Sequence, residues 1–406
     1  MKLLNKIYVL LAAIFTSILL EGCVSENFRE EESLDPDRAI LVLHIRNLTT
    51  RTENPTDGVS EKIKSLRIVL INEENEIECN DKIKEEYLYP DSSSPDLYYF
   101  FKVTTPGKKK LYLFANEESV NSIEGYSETD LTLADFLDKY LIGGKASEFE
   151  TGIKSVFFKS DYAIDNKKIF LPYSCYYELD MEAGKRYEQP MFLVPVATKF
   201  DLIINNERND EVEISRISII SLSDRSYLMA HVGEKDYRKD NKYWIDWLAE
   251  ISDKSHDYPQ FSENEDFNES YGWITDYQTP DQALYTPINL VAGEKIDVDR
   301  QKTEAGKEPV PGNKIIPTVY NGESAYIPSG MNNEVQSYSI QVVLKDKTSS
   351  DPEVTLTRTL SNVKALFRNT HVVININLVP GYMHVYGEIQ PWEILDTVNG
   401  YVTEEQ

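Results

Sequence analysis

Leu366-Phe-Arg-Asn-Thr-His-Val-Val-Ile-Asn-Ile-Asn-Leu-Val-Pro-Gly-Tyr-Met-His-Val-Tyr-Gly-Glu-Ile-Gln-Pro-Trp392 alternates in a way that decides the class of fold. Val372, Ile374, Ile376 and Leu378 share one parity, and Asn375 and Asn377 take the other. Successive strand side chains point to opposite faces, so this run reads as a strand with one buried and one wet face. Pro380-Gly381 breaks it as a turn does. A second run places Met383, Val385 and Ile389 on one parity and Tyr382, His384, Tyr386 and Glu388 on the other. Pro391 stops that run, with Trp392 just beyond.

Working upstream, the same signature recurs. Strands are expected at Val354–Leu360, Ser337–Leu344, Ser324–Pro328, Val212–Ile220 and Lys199–Asn205. Earlier ones are expected at Lys168–Leu171, Ser155–Lys159, Lys109–Ala115, Leu97–Val103, Lys62–Ile71 and Ala39–Arg46. In Ala39–Arg46 the residues Leu41, Leu43 and Ile45 share a parity, but Ile40 and Val42 are apolar too, so this strand should be covered on both sides. Thr132–Leu141 has helical spacing and is the one good helix in the first half, and Tyr243–Leu248 reads as a short helix. Many short strands divided by turn signals, with few helices, read as β-sandwiches rather than α/β units. A change of unit falls near Gln189–Val196, and the stretch of about 237–322 is long, polar and rich in Tyr and Trp. No short period repeats, which argues against solenoids and propellers.

The 406 residues suffice for two or three domains, and 26 Tyr and 15 Phe lean towards strands. The formal net charge of −26 repels phosphate backbones, so nucleic acid is set aside as a partner. Glu263-Asn-Glu-Asp266 lacks the glycine of a calcium loop. Of the five histidines, His44, His231, His256, His371 and His384, none has metal-site spacing, and no nucleophile elbow or phosphate loop occurs. His371 and His384 fall on neighbouring strands where they could approach one another. No cofactor and no catalytic residue is nominated.

The N-terminus carries the sharpest local signal. Lys2 and Lys6 precede a short apolar run, Ile7 to Leu20, and then Leu20-Glu-Gly-Cys23. This resembles the bacterial lipobox, with Glu21 where a small or apolar residue is usual, and implies a signal peptide over 1–22 and a lipid on Cys23. The acidic run Ser25–Ser33 reads as a tether and is similar to the surface-export signals of Bacteroidetes lipoproteins. Cys79 and Cys175 remain; in an oxidising compartment they are either a disulfide or two buried thiols.

Taken together, these segments resemble the fimbrillin family, the type V pilus subunits of Bacteroidetes. The resemblance rests on the lipobox at Cys23, on a short strand followed by a loop arginine and the Lys62–Ile71 strand, and on Lys110-Leu-Tyr-Leu-Phe-Ala-Asn116. It continues with Phe192-Leu-Val-Pro-Val-Ala-Thr-Lys-Phe-Asp-Leu202, where Pro195 replaces a frequent Arg, and closes with Phe367-Arg-Asn-Thr-His371, two strands and Trp392. It covers most of the chain outside about 237–322.

The resemblance implies an all-β chain of two transthyretin-like β-sandwich domains, with few short helices and a long irregular insertion in the second. The domains would be 52–195 and 196–392, flanked by a removable segment at 23–51 and a tail at 393–406. It implies travel to the outer membrane as a lipoprotein precursor, then incorporation into a cell-surface fimbrium that supports adhesion to host or bacterial ligands. An Arg-specific surface protease would cut between Arg51 and Thr52, in the polar loop Asn47–Gly58, with Arg46 and Arg38 as alternatives. The strand carrying Ala39, Leu41, Leu43 and Ile45 would leave. The vacated groove would accept a donor strand from another pilus subunit, offered by the tail residues Ile394, Leu395, Val398, Tyr401 and Val402. Two other readings stay open: a pilus anchor that keeps its lipid, and a surface glycan-binding lipoprotein stacking sugars on Trp244, Trp247 or Trp273. An extracellular hydrolase has no nominated site.

Overall fold

The computed structural model describes residues 36–47, 59–60, 62–88, 96–123, 131–159, 169–220, 225–229, 288–296, 319–321, 338–346, 353–360, 368 and 370–391. The fold is all-β with a few short helices. Its buried apolar residues form two clusters, the first running from Ala39 to Met229 and the second from Phe200 to Met383.

Seven strands serve the first cluster: β1 (Ala39–Asn47), β3 (Ser65–Ile71), β4 (Ile77–Lys84), β5 (Asp96–Thr104), β6 (Gly107–Ala115), β9 (Tyr173–Met181) and β10 (Arg186–Pro195). Their hydrogen-bonded order is β4-β3-β6-β9-β10-β1-β5. The path folds over on itself. β9 and β10 pair only at Val194–Ser174 and Pro195–Tyr173. At the far end, β5 is joined to β6 by two residues alone, Thr105 and Pro106, although three strands stand between them in the order. A two-residue link spans under ~11 Å, whereas four inter-strand steps of a flat sheet span ~19 Å. The leaf β10-β1-β5 therefore faces the leaf β4-β3-β6-β9. Lys109, fully buried, seals the closure. Its Nζ donates to Glu78 Oε2 at 2.8 Å and Thr105 Oγ1 at 2.6 Å, while Thr105 N donates to Glu78 Oε1 at 2.8 Å.

β3 is buried along its whole length, because one face meets the core and the other is roofed. The roof is made by α2 (Leu133–Asp138) and α3 (Ser147–Ser155), which follow the single-turn α1 (Glu85–Leu88). Phe149 packs edge-on to Tyr112 of β6 at 5.1 Å. Under this roof the buried Arg67 is held by both carboxylate oxygens of Glu117, each at 2.9 Å, and by Asp138 at 2.7 Å. Thr132 caps α2 by accepting from Asp135 N. The helical pattern of Thr132–Leu141 thus yields a shorter helix, and the α3 segment is a helix that sequence pattern alone did not mark. Asn116, at the end of β6, is left-handed (φ 57°) and buried. Its side chain accepts from Lys64 N and donates to Lys62 O and Leu171 O, which ties the strand end to the chain entering β3.

The second cluster lies between two sheets. One has the order β15-β11-β19-β20, with β16 also on β11, and comprises β11 (Thr198–Asn206), β15 (Lys295–Ile296), β16 (Val319–Asn321), β19 (Thr370–Val379) and β20 (Tyr382–Pro391). The other has the order β14-β12-β17-β18, comprising β12 (Val212–Ile220), β14 (Ile288–Leu290), β17 (Ser339–Asp346) and β18 (Val354–Thr359). Val372, Ile374, Ile376 and Leu378 are fully buried, alternating with half-buried neighbours as their parity requires. On β12 the buried parity switches from Val212 and Ile214 to Ile217 and Ile219, because a bulge between Ile214 and Arg216 inserts Ser215. The stretch of about 237–322 is not wholly irregular: its described parts β14, β15 and β16 extend both sheets.

Two small pairings complete the described strands: β2 (Val59–Ser60) with β8 (Ile169–Phe170), and β7 (Phe157–Lys159) with β13 (Arg225–Tyr227). Through β13 the segment 225–229 reaches back, and Leu228 and Met229 join the first core. Arg368, just ahead of β19, fastens this junction. Its Nη1 donates to Ser174 Oγ and Leu228 O at 3.0 Å, and its Nη2 to Tyr227 O at 2.7 Å. Ser174 Oγ also donates to Leu228 O.

Candidate strand-exchange site

β1 sits in the middle of the leaf β10-β1-β5. Ile40 to Asn47 run parallel to Arg186 to Leu193 on one side. Ala39 to Arg46 run antiparallel to Thr104 back to Asp96 on the other. Within its layer β1 lies between two strands, β10 and β5. Ala39, Leu41 and Leu43 point into the core and are fully buried, and Val42 on the opposite face is 3% exposed. The cover expected on both sides is therefore present at Val42. The side chain of Ile45 lies outside the described residues, though its backbone pairs Met191 and Tyr98.

Both neighbours depend on β1. In the described sheet path β5 is terminal and pairs with no other strand. β10 pairs β9 only at its last two residues, so from Arg186 to Leu193 its strand partner is β1. Pro190, which has no N–H to donate, is carried inside β10 opposite His44. That proline also explains why β10 does not announce itself in the sequence. Entry to β1 is pinned by the turn at Gly184, whose φ is +71°: Gly184 N donates to Arg38 O at 2.7 Å and Ile40 N to Lys185 O at 3.0 Å.

The three arginines occupy different settings. Arg38 is exposed and precedes the strand. Arg46 is inside it, paired with Phe192 and Asp96. Arg51 and Thr52 lie outside the described residues, as do Cys23, the tail residues Ile394, Leu395, Val398, Tyr401 and Val402, and Trp244, Trp247, Trp273 and Trp392.

Of the two states left open for the cysteines the structure shows the buried thiols, and the approach of the two histidines is corrected. Cys79 on β4 and Cys175 on β9 do not form a disulfide. Both thiols are buried, with β3 and β6 between their strands. Three inter-strand spacings put them about 14 Å apart, and a disulfide needs Cα atoms within roughly 7 Å. Burial pushes the Cys175 thiol up to about 12. His371 and His384 do not meet either. His371 is opposite Gln390, whereas His384 is opposite Asn377, six residues further along β19, or about 20 Å. His371 Nε2 instead lies 2.8 Å from Asp201 Oδ2, and His384 packs edge-on to Tyr382. Among the described residues no group of three or more His, Cys, Asp or Glu is placed to hold a metal, and no helix is long and apolar enough to cross a membrane.

No protein-family profile and no curated protein matches the chain. Among solved structures it is similar to the tip fimbrial protein Mfa3 of Porphyromonas gingivalis with a C-terminal truncation, at 11% identity and a TM-score of 0.47, over 87% of this chain and 100% of that one. It is similar to a protein assigned to cell adhesion from Parabacteroides distasonis, at 13% identity and a TM-score of 0.42, over 89% of this chain and 98% of that one. A third similar structure, also assigned to cell adhesion, comes from Bacteroides eggerthii, at 11% identity and a TM-score of 0.44, over 89% of this chain and 98% of that one.

Proposed function

We propose that this chain is a structural, non-catalytic subunit of a cell-surface fimbria, polymerising by removal of β1 and insertion of a neighbouring subunit's strand between β10 and β5. The observation that carries this reading is the place of β1: it is the middle strand of a three-stranded leaf, and both flanking strands rely on it. The resemblance to fimbrillins in the order of sequence segments agrees with it. On this reading the chain is made as a lipoprotein modified at Cys23, the loop after β1 is cut between Arg51 and Thr52, and the tail 393–406 is the donor.

Energetics set the order of events. Burying Leu41, Val42 and Leu43 contributes roughly 2 kcal/mol each, about 6 kcal/mol together. That rivals the whole net stability of a domain, about 5–15 kcal/mol. Cutting the loop therefore leaves β1 in place, held without a covalent tether. Losing it outright would orphan the facing backbone edges of β5 and β10, a hazard for aggregation. A strand that replaces it residue for residue restores both ladders and the apolar contacts. Release and insertion are thus coupled, and assembly waits for a donor.

Deleting residues 393–406 tests the donor role. Such a subunit should accept a strand but offer none, so fibres should end at it; fibres of unchanged length would overturn the assignment.

A further inference from the structure

The outer face of the β19–β20 hairpin has a composition that the strand-exchange reading does not use. Asn375 stands opposite Tyr386 and Asn377 opposite His384, while Tyr382 follows at the turn. Tyr386 is 61% exposed and Tyr382 41%. Core packing explains neither, because the buried side of β20 is carried by Met383 and Val385. Arg358 of β18 closes the rim, with its guanidinium carbon 4.0 Å from the centre of the Tyr382 ring. Its Nη1 donates to Thr357 O at 2.7 Å, while its Nε is buried with no partner among the described residues. Together these side chains line a shallow groove of about 410 Å³.

Three features point to the occupant. Exposed tyrosine rings offer flat apolar faces with a polar tip. The amides of Asn375 and Asn377 each present a donor pair and an acceptor, which suits adjacent hydroxyls. Among the described residues the lining includes Arg358 and His384 but no carboxylate, in a chain whose net charge is −26. A cation amid that charge favours an anionic group, and a guanidinium accommodates a carboxylate in a two-pronged geometry. We infer that this groove binds a saccharide bearing a carboxylate, with Tyr382 and Tyr386 stacking on sugar rings, Asn375 and Asn377 holding hydroxyls, and Arg358 taking the acid group. The groove belongs to the second core and β1 to the first, so the inference stands or falls independently of strand exchange.

The test titrates the full mature chain with 3′-sialyllactose and with tetragalacturonate, using lactose and maltotetraose as neutral comparators. At least one acidic sugar should bind with a Kd of about 1 mM or tighter, and its neutral comparator at least about fivefold more weakly. Tyr386→Ala should weaken the acidic sugar about tenfold. Arg358→Gln should abolish the preference for acid over neutral sugar. Tyr386 is largely exposed, so its variant should keep the parent melting temperature and a loss of binding cannot be put down to unfolding. Any of three results overturns the proposal: no binding of any of the four sugars up to about 20 mM, acidic-sugar binding indifferent to Tyr386→Ala, or an acid preference that survives Arg358→Gln.

Discussion

Leu41→Ala in the cut protein probes how β1 is held. Leu41 is fully buried at the centre of the strand, and truncating such a leucine costs about 2–5 kcal/mol. At about 3 kcal/mol the grip of β1 on its slot weakens roughly 100-fold. The assay takes the chain cleaved after Arg51 and adds excess isotopically heavy peptide covering Asp37–Asn47. Native mass spectrometry then follows replacement of the light strand by the heavy one. Leu70→Ala is the control, since Leu70 is equally buried but on β3 in the opposite leaf. If β1 leaves by itself, Leu41→Ala should accelerate replacement by up to about 100-fold and Leu70→Ala far less. Equal acceleration by the two would mean that β1 departs only when the whole sandwich unfolds, and would refute the reasoning that the slot is a local, exchangeable site.

Other consequences follow from the packing. Burial pushes the Glu78 carboxyl up, but hydrogen bonds led by that from Lys109 outweigh this and hold it below its ordinary value of 4.5. Its stabilisation is therefore complete above pH 4.5 and is lost as pH falls through the lower folded value. Glu78→Gln should cost about 3 kcal/mol at neutral pH, because it strands the buried Lys109, and should flatten the acid limb of a Tm-against-pH curve; an unchanged acid limb would remove Glu78 from the account. Arg368→Met removes one donor each from Tyr227 O, Leu228 O and Ser174 Oγ, of which Leu228 O keeps the Ser174 hydroxyl, at about 1–3 kcal/mol for each group left unsatisfied. A thermal melt should show the loss, and Arg368→Lys should not rescue it, since an ammonium cannot reproduce the fork. Cys79 and Cys175 should react with a thiol reagent only after denaturation, and a reductant should leave Tm unchanged; a reductant-dependent fall in Tm would mean that they pair.

What the sequence reveals depends on where a single physical rule acts alone. β19 is legible because one face meets a core and the other does not, so Val372 to Leu378 alternate cleanly. β3 and β1 are legible as strands but not as to their neighbours, because burial on both faces erases the alternation that would orient them. β10 is hidden by Pro190 and β12 is blurred by its bulge at Ser215, each a local device that breaks a periodic signal. α3 is hidden because Gly152 and a short amphipathic stretch give weak helical character, and its burial comes from Phe149 meeting Tyr112 across the roof. The partners of β1 are set by topology. The slot between β10 and β5 joins residues some ninety positions apart, which no local pattern encodes. Arg368 stood in the quoted motif, yet its role needed the three-dimensional meeting of β9, the 225–229 segment and the start of β19.

The most direct test of the central claim is N-terminal sequencing of fibres sheared from the cell surface. Strand exchange driven by cleavage in the loop after β1 requires that incorporated subunits begin at Thr52 and lack Ala39–Asn47. Fibre subunits that begin at a lipidated Cys23, with β1 still attached, would contradict it.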